Sequence, residues 1–244
     1  MKVTVITAAY NSGSTIGETL ESVANQTYKN IEHIVVDGLS KDDTLNIVAK
    51  YPDVKLVSEK DSGLYDAMNK GIKMATGDIV AILNSDDLFY NDNVVADIVK
   101  VFESSNASAV LSNIQIFEGD KSHVKRKYSA MKWQPWMFRI GWQPPHPGFF
   151  VLKSVYETIG HFNLKYSISA DFDFMFRVIY KSKIPFVKVD LTTVSMRAGG
   201  LSQSGIKSIV KANMEDHQSI KSHGYFSFLP AIWSKYLFKI FQYL

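Results

Sequence analysis

Apolar runs one strand long recur through the first part of the chain, each followed by a polar turn and then by a stretch with helical spacing. Residues 3–9 (VTVITAA) read as a strand that stops at Tyr10-Asn11-Ser12-Gly13. Thr15-Ile16-Gly17-Glu18 has the spacing of a capping box, and Ile16, Leu20, Val23 and Ala24 share one helical stripe behind it. The alternation continues with a strand over 31–36 ending at Asp37-Gly38. A helix that buries Ile47 and Val48 follows Ser40-Lys41-Asp42-Asp43, and a third strand covers 54–57. Ser62-Gly63 opens a helix through Met68, Ile72 and Met74, and residues 79–83 form the fourth strand. Strands separated by helices of this length predict an α/β fold: a mainly parallel, twisted sheet with right-handed crossovers, flanked by helices.

Past a helix over 93–102 and a strand over 109–117 the regular alternation stops. Residues 118–139 interleave Lys121, Lys125, Arg126, Lys127, Lys132 and Arg139 with Tyr128, Trp133 and Trp136. This is either a solvated hairpin and loop or a rim that meets an anionic acceptor or a membrane headgroup. Pro144-Pro145-His146-Pro147-Gly148 is a rigid turn into a strand over 149–152. Residues 169–177 read as the first turn of a helix, with Asp171 near its positive end and Phe172, Met175 and Phe176 in the core. Short strands are expected at 186–189 and 193–196, a ligand-closing loop at 197–202 and a helix at 206–222. In the tail, residues 229–244, Lys235, Lys239 and Gln242 form a narrow polar stripe on an aromatic and aliphatic helix. Such a helix lies in a bilayer interface with its lysines snorkelling, or packs on the domain or on a second subunit of a homodimer.

Composition narrows the chemistry. The 244 residues suffice for a sizeable core. The absence of cysteine excludes disulfides, thiolate catalysis and Cys-ligated zinc. A net charge of +3 without a dense basic run does not point to nucleic acid. The first apolar run is too short for a secretory signal, and no apolar segment reaches the roughly 20 residues of a spanning helix. A cytoplasmic location is therefore expected, with peripheral attachment to the inner face of the plasma membrane if the tail lies in the interface.

The strongest chemical signal is the strand over 79–83 running into Asn84-Ser85-Asp86-Asp87. Ligands of open α/β sheets sit beyond the carboxyl ends of the strands, where Asp37 also falls. Adjacent carboxylates suit a divalent cation with oxygen ligands, Mg²⁺ or Mn²⁺; the alternative is a solvated Asp-Asp turn that caps the next helix. Neither a G-x-G-x-x-G nor a G-x-x-x-x-G-K-[ST] motif is present, so dinucleotide and P-loop readings lose support.

Several segments in order resemble family 2 glycosyltransferases. They are residues 3–11, 26–32 (QTYKNIE), 35–40 (VVDGLS), 42–44 (DDT), 63–71 (GLYDAMNKG) and 77–87. The resemblance covers residues 3–202 and is to bacterial members that build surface polysaccharide or lipid-linked oligosaccharide. It implies the nucleotide-diphospho-sugar transferase (GT-A) fold, in a domain over 1–224 with a nucleotide-binding half over 1–117 and an acceptor-binding half over 118–224; the amphipathic helix over 225–244 rests on its polar stripe alone. It also implies inverting transfer from a nucleotide-diphospho-sugar, a UDP-sugar above all, to a glycan or lipid-linked acceptor. Carried over by position, Asp37 meets the base beside Thr7, Ala9 and Tyr10, while Asp66, Asn69 and Lys70 face the nucleotide or donor sugar. Asn84, Ser85 and Asp86 lie at the donor, Asp87 with Asp86 holds Mn²⁺ or Mg²⁺, and His146 and the loop over 199–202 flank the donor. Asp171 is placed as the catalytic base; the Glu that the family pattern puts before it is Ala170 here, which leaves the acceptor class open. A sugar-nucleotide pyrophosphorylase-like protein and a non-catalytic nucleotide-sugar-binding protein are the alternatives.

Overall fold

The computed structural model describes residues 1–199 and 205–240, of which 236–240 are described as backbone only. The chain opens with β1 (Val3–Ala9), α1 (Ile16–Ala24), β2 (Ile31–Asp37), α2 (Thr44–Val48), β3 (Val54–Ser58), α3 (Leu64–Met74) and β4 (Ile79–Ile82). It continues through β5 (Leu88–Phe89), α4 (Val94–Ser104), β6 (Ala109–Glu118) and β7 (Asp120–Tyr128). Two 3₁₀ turns, Pro135–Ile140 and His146–Gly148, lead into β8 (Phe149–Leu152) and α5 (Lys153–Ile159). Then come α6 (Ala170–Met175) with a π-helical extension, β9 (Phe186–Arg197), α7 (Ile206–Ser222) and α8 (Leu229–Ile240).

All nine strands form one sheet in the order β3-β2-β1-β4-β8-β6-β9-β5, with β7 paired to β6. The parallel expectation holds from β3 to β4 and again between β6 and β9. Antiparallel β8 joins these two parallel parts. One face of β1 and β2, with Ile6, Ile34 and Val36, packs on α3. The other face carries Val3 and Val5 and, with Ile79 and Ala81 of β4, packs on α4. Gly71 lets α3 lie close against β1, because a Cβ there would strike Ile6.

Four expectations change. The capping box does not close: Thr15 makes no side-chain cap bond, and Glu18 accepts a 3.0 Å bond from Nη2 of Arg197 instead. The two short strands near 190 are one long β9, which absorbs its irregularity opposite Asn113 as a bulge. Within 118–139 the hairpin reading holds, as β6–Gly119–β7, but Trp133 is buried in the core against Phe138 rather than placed at a rim. The tail helix is docked on the domain. Ile232 and Lys235 are buried, so Lys235 does not snorkel, while Lys239 lacks a described side chain and Gln242 lies outside the described residues.

Candidate active site

Parallel pairing sets the carboxyl ends of β1, β2 and β4 on one edge. The loops after β1 and β4 touch there, with the hydroxyls of Ser12 and Ser85 2.8 Å apart. Because β8 is antiparallel to β4, its amino end and the preceding His146 reach the same edge. Strand β9 brings Arg197 to it, and the backbone N–H of Arg197 donates to Oδ1 of Asp87 at 3.1 Å.

Asp37 ends β2 with no solvent exposure. Its Oδ2 accepts from the Ser58 hydroxyl at 2.6 Å and from the Ser40 N–H at 3.0 Å. Its Oδ1 is buried without a hydrogen-bond partner, an unmet acceptor at the end of β2. The flanking loops carry backbone strain, with φ of 48° at Asn11 and 63° at Leu39. They are stitched together by the Asn11 N–H to Ser40 Oγ bond at 2.8 Å and the Lys41 N–H to Asn11 Oδ1 bond at 2.9 Å. Gly38 keeps the rim open, since a Cβ there would lie 2.5 Å from Oδ2 of Asp61 and 3.4 Å from the Tyr10 ring. Tyr10 itself is 64 % exposed over this site, and Ala9 closes the end of β1.

Thr7 and Asn69 do not face the cleft. Oγ1 of Thr7 lies 3.0 Å from Nε2 of His33 inside the sheet layer. Asn69 spends its amide on Phe162, donating to its carbonyl and accepting from its N–H, both at 2.9 Å. Asp66 accepts from the Ser62 N–H at 2.9 Å at the start of α3. Lys70 donates to the Lys60 carbonyl at 2.7 Å and pairs with Glu59 at 2.9 Å. These two therefore stand at the β3 side of the edge, already engaged with the chain itself.

The acidic pair is electrostatically costly, and a cation between its carboxylates would relieve that cost. Asp87 is 1 % exposed, and its carboxyl is pushed up to about 8 by burial and, next, by the charge of Asp86. Burial also raises the carboxyl of Asp86. Asn84 donates to Oδ2 of Asp87 at 3.2 Å, while its own Oδ1 is buried and unpartnered. Two carboxylates and an amide oxygen are hard donors that fit Mg²⁺ or Mn²⁺. No group of three or more His, Cys, Asp or Glu side chains placed to hold a metal ion occurs among the described residues, so an ion here would complete its shell with ligand oxygens or water.

Asp171 opens α6 and is 7 % exposed. Its Oδ2 accepts from Nε2 of Gln143 at 2.8 Å and lies 3.0 Å from Nδ1 of His146; its Oδ1 lies 3.0 Å from the Tyr65 hydroxyl. That hydroxyl is also 2.6 Å from the Ile168 carbonyl, so one proton has two takers. The approach to α6 is held by Glu215 of α7, which accepts from the backbone N–H groups of Ser167, Ile168 and Ser169 at 3.2, 2.9 and 2.9 Å. A small apolar pocket opens against this group, lined by Leu64, Ile82, Phe149 and Met175 together with His146 and Asp171.

Asp37, Asp86, Asp87, His146 and Asp171 thus share one edge. Sequence reasoning missed Tyr65, Gln143 and Arg197 as partners of these acids. Tyr65 lies inside the GLYDAMNKG segment, and Arg197 begins the expected loop, so both had a local signal; Gln143 had none. Of the loop expected at 197–202 to close over the ligand, residues 200–202 lie outside the described residues.

The family model described as Glycosyl transferase family 2 matches residues 4–169. An uncharacterized glycosyltransferase of Mycobacterium tuberculosis is 34% identical over 180 residues, covering 72% of this chain and 68% of its own. Staphylococcus aureus TarS 1-349 in complex with UDP-GlcNAc superposes with a TM-score of 0.71 at 20% identity, covering 90% of this chain. This chain spans 66% of that solved chain, a little under two thirds. The mannosyltransferase PcManGT of Pyrobaculum calidifontis, solved with GDP-Man and Mn2+, gives a TM-score of 0.63 at 18% identity over 98% of this chain and 80% of its own. These likenesses give the GT-A nucleotide-sugar transferase fold, and the chain belongs to glycosyltransferase family 2.

Proposed function

We propose that the chain transfers a sugar from a nucleotide-diphospho-sugar, a UDP-sugar first of all, to a hydroxyl of a glycan or lipid-linked acceptor, with inversion at the anomeric carbon. The observation that carries this reading is the gathering of Asp37, Asp86, Asp87 and Asp171 along one sheet edge. Residues 1–117 supply the donor side and 118–224 the acceptor side. The free Oδ1 of Asp37 takes a base N–H, with Tyr10 over the ring. Asp86 and Asp87 hold Mg²⁺ or Mn²⁺, which when bound supplies Lewis-acid stabilisation of the leaving diphosphate. The group centred on Asp171 removes the acceptor proton as the oxygen attacks C1 from the face opposite the diphosphate. The complexes of the two solved relatives, with UDP-GlcNAc and with GDP-Man and Mn2+, support the donor and metal classes.

The test is a thermal-shift screen of UDP- and GDP-sugars with and without Mn²⁺. A ligand at ~100 times its Kd adds about 2.7 kcal/mol of stability. A metal-dependent rise with one nucleotide class is expected; no rise with any of them rejects the donor reading.

A further inference from the structure

Tyr65 and Asn69 stand one helical turn apart on the same face of α3, and that face is pinned to the segment leading into α6. Asn69 clamps the backbone of Phe162 with two 2.9 Å bonds, and the Phe162 ring lies 5.5 Å from the Tyr65 ring, centroid to centroid. The phenol is thereby delivered to the start of α6. Its hydroxyl has two acceptors in reach there, the Ile168 carbonyl at 2.6 Å and Oδ1 of Asp171 at 3.0 Å. Ile168 is itself held in place, because its N–H donates to Oε2 of Glu215 at 2.9 Å. Burial, and next the charge of Asp171, keep the phenol proton bound well beyond its ordinary range, so the hydroxyl stays a donor. It has one proton to give.

We propose that Tyr65 is the positioning residue of the base: its hydroxyl donates to Oδ1 of Asp171 while that carboxylate is ionised, and turns to the Ile168 carbonyl once Asp171 has taken a proton. This rests on the transferase reading above, with Asp171 as the base. An ionised carboxylate outcompetes a peptide carbonyl for a donor, and a neutral carboxyl does not. Before attack, the bonds from Tyr65 to Oδ1 and from Gln143 to Oδ2 fix the orientation of the carboxylate. As the acceptor oxygen bonds to C1, the C1–O bond to the diphosphate breaks, its electron pair leaves on the phosphate, and the acceptor proton passes to Asp171. The phenol then has the carbonyl within reach, so no buried donor is stranded at either stage.

The experiment uses the full chain with Mn²⁺ and water as acceptor, following UDP release from saturating UDP-glucose, UDP-galactose or UDP-N-acetylglucosamine as a function of pH. Tyr65→Phe removes the donor and keeps the ring. Its acid limb is expected about one pH unit above that of the wild type, the scale of one hydrogen bond to a charged group, with UDP affinity unchanged. Replacing Tyr65 by 3-fluorotyrosine keeps the shape and makes the hydroxyl a stronger donor, so its limb is expected below that of the wild type; this variant decides the matter if Tyr65→Phe does not fold. The other charged groups that face this pair are His146 on the turn before β8 and Glu215 and Asp216 on α7. All three are retained in both variants, so a difference in the limb reports on position 65. Limbs that coincide with the wild type, or that move in the same direction in both variants, overturn the assignment. Wild-type protein that binds none of the three nucleotides and releases no UDP rejects the transferase reading itself.

Discussion

Nζ of Lys235 lies 2.7 Å from Oδ2 of Asp216, and both side chains are almost fully buried. Nζ also donates to the Gly141 carbonyl at 3.0 Å, so one ammonium joins α8 to α7 and to the turn that precedes Gln143. Burial raises the Asp216 carboxyl and Lys235 opposes that rise. Lys235→Met therefore strands a buried carboxylate, at an expected cost of about 3–5 kcal/mol in urea unfolding. Lys235→Met with Asp216→Leu should recover most of that loss. Equal stability of Lys235→Met and wild type would show that the tail is not docked as described.

Asp171→Asn should keep nucleotide binding and lose turnover by ~100-fold or more, since the amide preserves shape but cannot take up the acceptor's proton. Isothermal titration with UDP and Mn²⁺ measures the first property, and UDP release from the donor measures the second. Turnover near the wild-type rate removes Asp171 from the chemistry.

Asp37→Asn leaves one acceptor oxygen in place of two and disturbs the bonds to Ser40 and Ser58. Affinity for UDP should fall by roughly 10-fold or more, the scale of a hydrogen bond to a charged group. Affinity for inorganic pyrophosphate with Mn²⁺, which does not reach the base site, should hold. Parallel losses of both ligands would contradict the base-binding role.

Stability should also depend on pH through His33, whose imidazole is pushed down to about 4 by burial. The unfolded chain protonates this ring near 6.5 and the folded chain resists. The contribution is thus complete above 6.5, declines as pH falls and is exhausted below about 4, a loss of about 3 kcal/mol. Urea midpoints between pH 7 and pH 4 measure it. His33→Gln, which keeps a polar partner for Thr7, should flatten the curve in that window.

If the chain touches a membrane surface, one of the alternatives for its tail, the exposed aromatic side chains Phe226, Phe228 and Trp233 beside the docked helix are the groups to carry the contact. The described helices include none long and apolar enough to cross a bilayer. Flotation with anionic vesicles should be reduced when all three are changed to Ser. Unaltered flotation removes them from that role.

Much of the sheet edge that carries Asp37, Asp86 and Asp87 was legible because its signals are local. The period of β1 through β4 is written in consecutive residues, and Asp37, Asp86 and Asp87 are strand-end acids wherever the sheet is parallel. The surroundings of Asp171 and of the motif residue Asn69 were less legible because their contacts are distant. Tyr65 meets Asp171 across 106 positions, and Asn69 meets Phe162 across 93. A motif residue such as Asn69 looks the same whether it faces a ligand or a neighbouring backbone. Lys235 belongs to a polar stripe in sequence, yet the buried Asp216 that it answers is invisible until α7 and α8 are packed together.

Ala170 has no exposed surface and lies in the same core cluster as Phe138 and Phe172. The Glu that the family pattern places there would put a second acid beside this aromatic layer, at a cost of several kcal/mol unless it found a partner. The cluster thus admits a longer, charged side chain at position 170 only if those rings move apart or a cation comes within reach.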